Sequence, residues 1–154
     1  MTAERSPAAL DREGIAARIP HQGDMCLLDA VRHWSSEAIE CESWLKGLDT
    51  HPLRSGGALS AVHAIEYAAQ AMAVHGALIA GFDAAPQAGY LASVRSVNLH
   101  AEVIGAGDAP LRVRAERLSG DERNVLYGFR VESAQGACIA EGRAAVVLDA
   151  GGLA

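Results

Sequence analysis

Residues 58–79, ALSAVHAIEYAAQAMAVHGALI, set an imidazole, a carboxyl and a carboxamide (His63, Glu66 and Gln70) among small and apolar neighbours. On a helix, at about 100° per residue, the three positions fall within about 60° of one another and form one polar stripe. A carboxylate inside an apolar helix costs on the order of 2–7 kcal/mol unless it is paired or protonated. The stripe is therefore either satisfied internally or lines a site. The chemistry on offer is proton transfer. A neutral His near pH 7 suits proton abstraction. A carboxyl group whose pKa is raised by burial suits proton donation. Immediately upstream, Ser55-Gly56-Gly57-Ala58 leads into the helix. Backbone N–H groups at a helix N-terminus stabilise a developing oxyanion, and glycine lets a carbonyl approach them without a Cβ in the way. Gln70 is placed to hold Glu66 or to donate to a substrate. The bland readings are a Glu66 bonded to Gln70 or to a loop, a His63 packed at a helix interface, and glycines that merely punctuate a loop.

Something must cover a helix that is apolar almost all round, because such a helix is buried in its fold. Residues 8–18 read as a short amphipathic helix ended by Pro20. MCLLDAV reads as extended. Residues 37–45 alternate Ile39, Cys41, Ser43 and Leu45 against Glu40, Glu42 and Trp44, a half-buried strand. After the long helix the period is two and stays there. Residues 90–104 form one long strand. Leu111, Val113 and Ala115 then face one way and Arg112, Arg114 and Glu116 the other. Val125, Tyr127, Phe129 and Val131 share a face, as do Cys138, Ala140, Gly142, Ala144 and Val146. Short turns between these strands predict an antiparallel meander. The reading is an α+β fold, with a curled sheet of five or six strands wrapped around one central helix. Residues 1–154 make a single domain with a loose arm at 1–7. Exposed sheet edges predict a dimer paired through an edge strand.

The bulk numbers agree. A chain of 154 residues suits one domain with a core of its own. A net charge of −6 and the lack of any Lys/Arg run argue against nucleic acid. No stretch reads as a membrane span, and the N-terminus lacks the pattern of a signal peptide. Cys26, Cys41 and Cys138 show no ligand spacing and read as reduced, cytoplasmic thiols. No metal or redox cofactor is implied. His21 reads as packing its loop; His33, His75 and His100 read as structural or exposed. Arg112, Arg114, Arg117 and Arg130 read as a solvated sheet face, with a lesser reading as a landing for an acidic carrier or a phosphate.

Two segments resemble the hotdog-fold 3-hydroxyacyl-acyl-carrier-protein dehydratases. Pro20-His21 followed by Met25-Cys26-Leu27-Leu28-Asp29 is similar to the segment that opens those enzymes. Glu66-Tyr67-Ala68-Ala69-Gln70 is similar to the E-A-M-A-Q segment of their central helix. The run EYAAQAMAVHGAL is closer to a divergent branch that includes aryl-polyene dehydratases. The resemblance spans the chain from about residue 15. It implies that a loop His from one subunit works with the helix acid of the other. In those enzymes that His stands fourteen residues before the acid; here the position is Pro52, and His51 is its neighbour. His63, one turn before Glu66, is an alternative base that those enzymes do not have and that the helix spacing alone suggests.

The resemblance thus implies dehydration of 3-hydroxyacyl thioesters. Glu66 is the acid, His51 or His63 the base, and Gly56, Gly57, Ala58 and Gln70 bind the substrate. The partners would be acyl carrier protein or acyl-coenzyme A, with the phosphopantetheine arm arriving on the substrate. The assembly would be a homodimer or a heterodimer with a related subunit. A hotdog thioesterase and a non-catalytic acyl-binding or partner subunit are the alternatives.

Overall fold

The computed structural model describes residues 10–18, 26–45, 59–80, 89–121 and 123–148. The arm at 1–7, Pro20-His21 and the loop with His51, Gly56, Gly57 and Ala58 lie outside those residues.

Alternating apolar and charged residues build the sheet. In β3 (Ala38–Ser43), Ile39, Cys41 and Ser43 point inward and are buried. In β7 (Leu111–Gly120), Leu111, Val113 and Ala115 do the same, while Arg112, Arg114 and Glu116 face water. Val125, Tyr127, Phe129 and Val131 are the buried half of β8 (Asn124–Glu132). β9 (Cys138–Leu148) follows, and β5 (Gly89–Leu99) returns beside it. With β2 (Ala30–Trp34) and the two-residue β1 (Leu10–Asp11), the strand order is β1-β2-β3-β7-β8-β9-β5, antiparallel throughout. Six of the strands have five residues or more, matching the periodicity; the seventh is β1.

The central helix, α2 (Ala64–Ala80), lies against the inner face of β3, β7, β8 and β9. Ala64, Ala68 and Ala71 are fully buried, together with Tyr67 and Val74. Ala140 and Ala144 of β9 are also buried. Small side chains on both surfaces allow helix and sheet to close to packing distance.

Local chemistry moves three boundaries from their expected places. The segment read as a helix over 8–18 is β1 followed by α1 (Arg12–Ala16), because Asp11 pairs with Ala30 and caps α1 by accepting the Gly14 N–H at 2.9 Å. The central helix starts later than residue 58. Leu59–Ser60 form a short strand, β4, paired with β6 (Val103–Ile104), and Ala61–His63 form a 3₁₀ turn that Ser60 caps. The strand expected over 90–104 is therefore two pieces, β5 and β6. It also bulges at Ser96, whose φ of 53° breaks the ladder between Arg95 and Asn98. Finally, Cys138 does not share the inner face of β9. Adjacent Val131 and Glu132 pair with Ala140 and Cys138, so Ile139 is the extra residue of a bulge. The bulge turns Cys138 to the outer face.

Candidate active site

The first helical turn of α2 carries Glu66, the single carboxylate of that helix. An acid there is favoured by the helix dipole, which accounts for its position even without a reaction. The expected stripe splits. Glu66 is exposed in the isolated chain, His63 in the 3₁₀ turn is half-buried, and Gln70 is fully buried. The expectation of a buried Glu66 is thus corrected. α2 is not covered all the way round: Glu66 and Ile79 are exposed, as is Val62 of the preceding 3₁₀ turn. Glu66 and His63 form no hydrogen bond or ion pair among the described residues.

Gln70 has a definite task. Its Oε1 accepts the Leu27 N–H at 2.9 Å. The Leu27 carbonyl accepts the Ser43 hydroxyl, also at 2.9 Å. Two residues on, Asp29 Oδ2 accepts the Trp44 N–H at 2.7 Å, and Oδ1 faces Arg12 at 3.5 Å. The Cys26-Leu27-Leu28-Asp29 segment is therefore strapped between α2 and β3. Cys26, Leu27 and Leu28 are buried, and burial holds the Cys26 thiol above its ordinary pKa. Tyr67, one position after Glu66, is buried beside the Ser43 hydroxyl, and burial raises its phenol pKa. Residues 26–29 and 66–70, the described parts of the two segments similar to the dehydratases, are thus two sides of one hydrogen-bonded joint, and Glu66 faces outward from it. The stripe alone does not reveal this joint, because it offers Glu66 as the nearer partner for Gln70; the available signal is a carboxamide on an otherwise apolar helix, which needs a buried hydrogen-bond partner.

Further along α2, His75 is fully buried. Its Nε2 lies 2.8 Å from the Ser35 carbonyl, which can only accept, so Nε2 carries the proton. Nδ1 then accepts the Tyr127 hydroxyl at 2.7 Å. Burial lowers the His75 pKa, opposed in part by the Ser35 bond. With both nitrogens engaged, His75 is the structural residue expected of it. Burial pushes Tyr127 up to about 12.

On the outer face of the sheet, an open groove of about 1120 Å³ is lined by Arg114, Arg130 and Arg143 with Glu40, Glu116 and Glu141 among others. It shares no residue with the Glu66 region. Arg114 pairs with Glu40 at 3.6 Å, and Arg130 with Glu132 and Glu141, so the face is mixed in sign. That is the solvated face expected of Arg112, Arg114 and Arg130. Arg117 departs from the expectation: it is half-buried and pairs across the ladder with inward-facing Tyr127. Among the described residues, no helix is long and apolar enough to cross a membrane.

A sheet curled around one helix, with a lone carboxylate in the first turn of that helix, defines a hotdog domain. Solved hotdog structures are similar to it. A chain of the dehydratase heterocomplex ApeI:P from Xenorhabdus doucetiae superposes with a TM-score of 0.77 at 24% identity, over 91% of this chain and 91% of that one. A hypothetical thioesterase from Streptococcus pneumoniae TIGR4, solved with coenzyme A, gives 0.59 at 8% identity, over 77% of this chain and 84% of that one. A thioesterase from Haemophilus influenzae gives 0.57 at 10% identity, covering 77% and 76%. No curated protein matches the chain. Residues 13–150 match the ApeP-like family, described as ApeP dehydratase, and the chain belongs to that family.

Proposed function

We propose that this chain takes part in the dehydration of 3-hydroxyacyl thioesters to trans-2-enoyl thioesters, with Glu66 as the acid. The supporting observation is that α2 of a member of the ApeP-like dehydratase family presents one carboxylate, outward and without a protein partner among the described residues. In the reaction a base removes the proton next to the thioester carbonyl and leaves an enolate-like oxygen. The 3-hydroxyl then departs as water, protonated by Glu66. A loop imidazole, His51, or the half-buried His63 is the base. Backbone N–H groups around Gly56, Gly57 and Ala58 receive the oxyanion. Gln70 acts through position: it holds the Leu27 segment, which borders the same stretch of helix.

Exposure of Glu66 in the single chain gives the reaction a second requirement. An acid open to bulk water lacks the dry surroundings in which proton donation is effective. A second hotdog subunit has to cover it. The heteromeric assembly of the Xenorhabdus relative favours a related but different subunit as that cover, with this chain and its partner together forming the dehydratase. The substrate is an acyl chain on a carrier protein or on coenzyme A, and the reaction runs in the cytoplasm.

The test is incubation of the chain, alone and with its related hotdog partner, with a 3-hydroxyacyl thioester. Enoyl product supports dehydration. Free thiol in its place indicates a thioesterase. Enoyl product at the same rate with the partner alone would assign this chain a non-catalytic role.

A further inference from the structure

Where β5 leaves the sheet, three different metal-binding side chains converge. His100, Cys138 and Glu141 offer one nitrogen, one sulfur and one oxygen donor that all lie within 4.8 Å of one another. Their meeting is produced by the backbone. The His100 N–H donates to the Ile139 carbonyl at 2.8 Å, which fixes His100 beside β9. Cys138 and Glu141 stand three apart on a strand, and in a regular strand they would point to opposite faces. The bulge at Ile139 brings them to the same one, because Cys138 pairs with Glu132 and Glu141 with Arg130, two outer-face neighbours on β8. Bulges are a recurrent means of re-aiming a side chain at a site.

We propose that His100, Cys138 and Glu141 form a site for a thiophilic divalent cation, zinc being the first candidate. A mixed N, S, O set is the donor chemistry of zinc and is foreign to magnesium or calcium. Ligand atoms around a tetrahedral zinc stand roughly 3.3–3.8 Å apart, given its bond lengths of about 2.0–2.3 Å. Side-chain rotation has to open the 2.9 Å contact between His100 and Glu141 and close the wider spacings, none above 4.8 Å, to reach that range. The carboxylate is already oriented from outside: Glu141 Oε1 faces Arg130 at 3.4 Å, leaving Oε2 with His100 at 2.9 Å. Such outer contacts are what ligating carboxylates use to hold their direction. Arg130 itself is bound by Glu132, which tempers its repulsion of a cation. Three protein ligands leave a fourth position for water or an external donor. The bound ion would staple the end of β5 to β9. This inference is independent of the dehydration reading.

The experiment titrates the full chain, stripped with chelator, with Co²⁺ and then Zn²⁺. We expect one ion per chain, a near-ultraviolet thiolate-to-cobalt band displaced by zinc, and a higher melting temperature with zinc. Cys138→Ser abolishes the band, and His100→Ala weakens zinc binding by about tenfold or more. Circular dichroism checks that both variants are folded. Absence of the band at saturating cobalt, its persistence in Cys138→Ser, or unchanged zinc affinity in His100→Ala would overturn the site.

Discussion

Two side chains on α2 show how similar residues on one helix serve different ends. Gln70 is buried against Leu27, and replacing it with Leu leaves a buried N–H without its acceptor. We expect Gln70→Leu to lose about 1–3 kcal/mol of unfolding free energy in urea titration. Glu66→Gln is expected to change stability by no more than about 0.5 kcal/mol, as for other exposed positions. Equal losses would mean that Glu66 is a packing residue after all. His75 supplies a pH dependence. Burial lowers its pKa below the ordinary 6.5, so between the two values the unfolded chain holds more protons than the folded one. Stability is then complete above about pH 6.5 and falls as the solution is acidified, by at most about 1.4 kcal/mol per pH unit for this one group. His75→Gln removes that titration. If the unfolding free energies of wild type and His75→Gln run parallel from pH 7 to 5, the buried imidazole is not responsible.

At the scale of elements, periodicity carried the reading where burial alone decides structure. Alternation located β3, β7, β8 and most of β9, because one face of each packs on α2 and a slip of one residue would bury arginines. It failed where hydrogen bonds compete with pattern. Ser60 caps a turn and pairs with Val103, so the helix starts late even though Ala58 to Val62 are mostly apolar. The bulge at Ile139 has no signature in ACIAEG, and Cys138 was assigned to the wrong face. Likewise, the polar stripe was legible as His63, Glu66 and Gln70, but the angle between residues does not say which of them meets Leu27. The β7–β8 hairpin allows a direct check. Gly120 has φ of 144°, and a Cβ there would stand 2.5 Å from the Asn124 carbonyl oxygen. We expect Gly120→Ala to cost about 1–3 kcal/mol in the same urea assay, whereas Gly107→Ala, with open space around it, is near neutral. Equal stability of the two variants would show that the hairpin accommodates the added methyl.

For the whole molecule, the sheet ends on an eleven-residue strand, β5, that pairs with β9 on one side and with nothing else among the described residues. Long free edges invite pairing. Leu99, Val103 and Val62 add exposed apolar surface. We expect the chain to associate, with itself or with a related hotdog subunit, and Leu99→Lys with Val103→Lys to weaken that association in light scattering while leaving the circular dichroism unchanged. A wild-type chain that stays at 16.0 kDa with and without the related subunit would contradict the account of how Glu66 is covered.

Most directly at stake is the role of that carboxylate. The decisive measurement is the rate of enoyl-thioester formation from a 3-hydroxyacyl thioester by the assembled wild-type complex and by the same complex carrying Glu66→Gln. A fall of about a hundredfold or more, with assembly and stability preserved, is the expected result for loss of a general acid. An unchanged rate would show that the proton comes from elsewhere.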